Sequence, residues 1–152
     1  MAEQRSGLAA ISPNPCPQVP DAPEVRAAAG ALPAPAGKKW SQSYTGRYDH
    51  CGELTAAVVA LEGDTDPLGP RQVLFFHKGA FVGTADSCAF GRASVKSARG
   101  DTVLVQYRWP RGQESATTMS GSANIKYRWS GDRVERIDQI PQELYESAHC
   151  AG

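Results

Sequence analysis

The stretch 71–85, Arg-Gln-Val-Leu-Phe-Phe-His-Lys-Gly-Ala-Phe-Val-Gly-Thr-Ala, limits the fold most, because two dense apolar runs flank one short turn. Val73, Leu74, Phe75 and Phe76 put bulky apolar groups on both alternating faces, which a strand tolerates when both faces are covered. Lys78-Gly79 supplies a residue able to take φ > 0 at the tip, and Phe81-Val82 resumes the apolar pattern. The expectation is a β-hairpin placed centrally in a sheet.

Other segments build around it. Residues 1–20 carry Pro13, Pro15, Pro17 and Pro20 with few bulky apolar groups and are expected to be a flexible arm. Asp21 as cap, Pro23 in the first turn and Glu24 three residues after the cap predict a helix start. Val25, Ala28, Ala29 and Leu32 share one face of that helix, which Pro33 and Pro35 stop. Residues 37–52, with Trp40, Tyr44 and Tyr48, are expected to form an irregular loop pinned by its rings. In 53–62, Leu54, Ala57, Val58 and Leu61 fit a helical face while the Val58-Val59 pair suits a buried strand; a strand is expected. Residues 63–70, with Asp64, Asp66, Pro67, Gly69 and Pro70, are a loop.

The second half alternates with period two. Val103, Val105, Tyr107 and Trp109 interleave with Thr102, Leu104, Gln106 and Arg108, and Ile125, Tyr127 and Trp129 interleave with Lys126 and Arg128. These runs predict neighbouring antiparallel strands sharing a buried aromatic face and a solvated basic one. Shorter strands are expected over 92–98 and 134–137, joined by turns at 99–101 and 130–132. The sum is an α+β chain: an antiparallel meander sheet of about seven strands with one N-terminal helix packed on it, residues 21–150 forming one domain.

Lys plus Arg (16) balance Asp plus Glu (16), so no global field recruits nucleic acid or anionic lipid. The balance is uneven: 91–136 holds nine basic residues against four acidic. Cys16, Cys51, Cys88 and Cys150 contain no Cys-x-x-Cys pair, and an even number of widely spaced cysteines suits two disulfides and an oxidising compartment. In a meander, Cys51 opens the first strand at one end while Cys88 follows the third at the other, which disfavours bonding those two. Cys16–Cys51 with Cys88–Cys150 is preferred; Cys16–Cys88 with Cys51–Cys150 is the alternative. The pairs His50-Cys51 and His149-Cys150 offer four zinc ligands, but adjacent ligands lack the usual chelate spacing, so no metal is expected.

No Gly-x-Ser-x-Gly elbow, His-Glu-x-x-His or phosphate-cradling loop is present, and no cofactor is expected. His77 beside the hairpin tip is the candidate base, and Asp64 and Asp66 are read as loop residues. The order of motifs resembles the LppP/LprE lipoproteins of mycobacteria and related actinobacteria. The residues that carry the likeness are the Ala-rich helix ending Leu32-Pro33, Trp40 ahead of Cys51-Gly52-Glu53-Leu54, Phe76-His77-Lys78-Gly79 with Val82-Gly83-Thr84, Tyr107-Arg108 and Ile140-Pro141. The resemblance implies an exported protein, lipid-anchored at the cell envelope, and transfers no catalytic residue. Asn14-Pro15-Cys16 is not a lipobox and Leu8 to Ile11 is too short for a signal core, so the anchor is expected upstream of this sequence.

The function expected is a non-catalytic envelope binding or interaction module, with His77, Lys78, Arg108 and Arg128 as candidate ligand or surface contacts. Its partner would be an envelope lipid in a cavity under the helix, or a glycan or protein on the basic face, and not nucleic acid. The alternative is an envelope hydrolase using His77 and a nearby Asp.

Overall fold

The computed structural model describes Cys16 and residues 21–150. The expected arm over 1–20 therefore lies, apart from Cys16, outside the described residues.

Helix α1 (Pro23–Ala31) begins with proline in its first turn, where the missing N–H costs no hydrogen bond. Its cap is Ala22, with no side-chain hydrogen bond, and not Asp21. Asp21 instead pairs with Arg26, which removes the carboxylate from the capping position. Strands β1 (Thr45–Arg47), β2 (Thr55–Ala60), β3 (Arg71–His77) and β4 (Ala80–Thr84) form one antiparallel sheet in chain order. The loop expected over 37–52 is thus partly strand. The backbone of 45–47 pairs with 56–58, and Trp40 bridges to Leu61, because the edge of β2 would otherwise be unpaired.

A second antiparallel sheet contains β6 (Ala93–Arg99), β7 (Thr102–Trp109), β8 (Gly121–Trp129) and β9 (Val134–Arg136), again in chain order. Between the sheets lies β5 (Cys88–Ala89), which pairs with β10 (His149–Cys150) after a short helix α2 (Gln142–Glu146). The single seven-strand meander is therefore corrected: the chain makes two four-stranded sheets. The reason lies in β3, whose two apolar faces both need cover. One face receives α1 and the other receives the second sheet, which a continuous meander would not supply.

Three layers result. Ala57, Val59, Leu74 and Phe76 face Val25, Ala28 and Ala29 of α1 together with Trp40 and Tyr48. Ala56, Val58, Val73 and Phe75 face Val95, Val103, Val105, Tyr107, Ile125 and Tyr127. Phe75 meets Tyr127 across the sheets at 4.9 Å between ring centroids, and Phe90, from the crossover, meets Tyr107 at 5.0 Å. Beneath α1 the first sheet is covered by Val25, Ala28 and Ala29 of the helix together with Trp40 and Tyr48. No helix among the described residues is long and apolar enough to cross a membrane.

Candidate functional site

Two places bring the candidate residues together, and they are different places. The first is the rim where the β3–β4 hairpin meets the loop before β2. Lys78 (φ 48°) and Gly79 (φ 84°) both take positive φ, so a two-residue turn closes the hairpin with the twist its strands require. The Lys78 N–H donates to the Gly52 carbonyl at 2.9 Å, docking the tip on that loop. The Asp49 carboxylate accepts from the N–H groups of Cys51 and Gly52 at 3.0 and 2.6 Å, which fixes the loop from its own side chain. Cys51 is bonded to Cys16 with 5.9 Å between Cα atoms, and His50 Nε2 lies 3.5 Å from Cys16 Sγ.

His77 is half-buried at this rim, its ring stacked on Trp129 at 4.3 Å between centroids. Its Nδ1 lies 2.7 Å from the Glu53 carbonyl; a carbonyl only accepts, so Nδ1 carries the hydrogen. Among the described residues no hydrogen bond or ion pair joins an Asp to His77. Lys78 reaches the Glu53 carboxylate at 3.8 Å in an exposed pair.

The second place is the outer face of the β6–β9 sheet. Register sets Ser94, Gln106 and Asn124 side by side across β6, β7 and β8, with Leu104 and Lys126 forming the next row and Thr102, Arg128 and Glu135 the one after. Lys96 and Arg99 are exposed on β6, Lys96 in the bulge between Val95 and Ser97. Arg108 lies opposite Ser122, six residues along β8 from Arg128, or about 20 Å at strand rise. The two arginines therefore stand toward opposite ends of this face, on either side of the Ser94–Gln106–Asn124 row. Arg108 is half-buried, its Nη2 donates to the Met119 carbonyl at 2.6 Å, and its buried Nε has no hydrogen-bond partner among the described residues. Lys126 is paired with Asp138 at 3.2 Å.

Other candidates serve the scaffold. Asp64 accepts from the Asp66 N–H, and Asp66 from the Leu68 N–H, each at 2.9 Å, so both shape their loop. Cys88 is disulfide-bonded, and its backbone is registered opposite Cys150. The Tyr107 and Tyr127 hydroxyls meet at 2.9 Å inside the core. Burial pushes both phenols up, Tyr127 to about 12. Asp86, not singled out from the sequence, accepts from the Tyr145 hydroxyl at 2.7 Å and from the Cys88 N–H at 2.9 Å, tying α2 to the crossover. The Ser94–Gln106–Asn124 row was also missed. Its signal is the alternation itself, which puts Gln106 and Asn124 on the face of Arg108 and Arg128.

Two sheets with an aromatic core, a hairpin docked on a disulfide-bearing loop and a bare basic face describe the molecule. Its class follows from comparison: the model of the LppP/LprE lipoprotein family matches residues 46–132, from β1 through the end of β8, and the chain belongs to that family. The LppP proteins of Mycobacterium bovis and Mycobacterium tuberculosis are each 27% identical to it over 135 residues, covering 86% of this chain and 76% of theirs. No solved structure matches the chain.

Proposed function

We propose that this chain is an exported, non-catalytic envelope interaction module that holds an acidic polysaccharide on the outer face of the β6–β9 sheet. The observation that carries this reading is the composition of that face. Lys96, Arg99, Arg108, Lys126 and Arg128 surround a row of neutral hydrogen-bonding groups, Ser94, Gln106 and Asn124, and two acids, Glu135 and Asp138, lie beside them. Amides and hydroxyls match sugar hydroxyls, and spaced cations match repeated carboxylates more closely than one compact charge. Family membership supports the envelope location. The packed layer under α1 favours surface docking over an enclosed lipid.

Affinity electrophoresis tests it with three matrices: polygalacturonate, neutral dextran and no polymer. The reading expects retardation by polygalacturonate alone, weakening with salt and falling at least fivefold in Lys126→Glu/Arg128→Glu. Equal retardation of that variant, or binding only to vesicles containing anionic lipid, would contradict it.

A further inference from the structure

We propose that the Cys16–Cys51 disulfide is a thiol-exchange site, opened at Cys51 by a dithiol oxidoreductase with Cys16 as the leaving group beside His50. The two sulfurs differ in surroundings. Cys51 is exposed on its loop, whereas Cys16 is only 5% exposed, so an incoming thiolate reaches one of them. The buried partner has the imidazole: His50 Nε2 stands 3.5 Å from Cys16 Sγ, where an N–H stabilises a departing thiolate.

Both neighbours are held. Asp49 fixes the Cys51 backbone, and the hairpin tip backs His50, since a Cβ placed on Gly79 would stand 3.3 Å from His50 Cβ. Cys88, by contrast, is half-buried within the strand pair β5–β10.

The attacking thiolate bonds to Cys51 Sγ, the Cys16–Cys51 bond breaks, and its electron pair leaves on Cys16 Sγ. The oxidoreductase's second thiol then attacks its own sulfur in the mixed disulfide and releases Cys51. The dithiol loses two electrons and two protons, and this chain's disulfide takes up both to become two thiols. The result frees the backbone at Cys16 from the loop thirty-five residues later.

Reduced glutathione, applied to the oxidised full chain, probes the first step. After acid quenching and N-ethylmaleimide, peptide mass mapping is expected to find glutathione on Cys51 and maleimide on Cys16, with Cys88 still oxidised. His50→Ala is expected to slow adduct formation about tenfold, and His50→Gln less, because an amide still donates a hydrogen bond. Circular dichroism and the retained Cys88 bond certify that the variants are folded. Glutathione on Cys16, an unchanged rate in His50→Ala, or loss of the Cys88 bond at the same rate would overturn the proposal. The regiochemistry is read in the unsubstituted chain and needs no variant.

Discussion

The two sheets have four strands each, yet they are buried differently. In β2 and β3 nearly every residue is buried, because one face meets α1 and the other meets the second sheet. In β7 buried and half-buried residues alternate strictly, and in β8 the outward positions are exposed. Strands β2 and β3 thus form a middle layer whose side chains are used in packing, while β1 and β4 at the edges of that sheet stay largely open to water. The second sheet has a packed inner face and an outer face that the fold leaves to water, so that is where a partner can bind without dismantling the core.

Substitutions break this comparison most sharply on the buried side. Phe75→Ala removes a fully buried ring from between the sheets and is expected to cost about 3–5 kcal/mol, read as a lower urea midpoint. Gly79→Val forces a β-branched residue to φ 84° against His50 and is expected to cost about 1–3 kcal/mol; unchanged thermal stability would sink the turn assignment.

Tyr107 and Tyr127 sharpen it through pH. Burial raises both phenols, so above pH about 10 the unfolded chain ionises while the folded one resists. The stabilisation is complete below the unfolded value and drains away as pH rises, by up to about 1.4 kcal/mol per pH unit per tyrosine. Tyr107→Phe/Tyr127→Phe should flatten that alkaline loss in denaturant titrations. On the outer face, Lys126→Glu/Arg128→Glu sets like charges beside Asp138 and Glu135 and is expected to cost about 1 kcal/mol by urea titration, less than either buried-side change because neither side chain is buried.

The same contrast explains what was legible in the sequence. The unbroken apolar run 73–76 announced a strand covered twice, and the alternation over 102–109 and 125–129 announced one covered once. Which element supplies each cover was not written there. Residues 85–92 look like a loop, yet Phe90 crosses between the sheets and bridges to Arg71, turning a meander into two layers. The short strand at 45–47 has no apolar pattern to reveal it, since all three residues are exposed and its pairing is purely backbone. Of the site, the cysteines and the basic alternation were visible. The approach of His50 to Cys16 was not, because thirty-four residues separate them and only the folded loop closes that gap. His77 was visible as a residue but not as a role: its stacking on Trp129 and its bond to the Glu53 carbonyl are tertiary facts.

The most direct test of the bare face is an amide NMR titration of the full chain with a short oligogalacturonate at low salt. The account predicts shift changes concentrated at Ser94, Lys96, Gln106, Asn124 and Arg128, with the amides of residues 73–76 unmoved. Changes confined to residues 49–53 and 77–79 at the hairpin rim, or none at all, would contradict it.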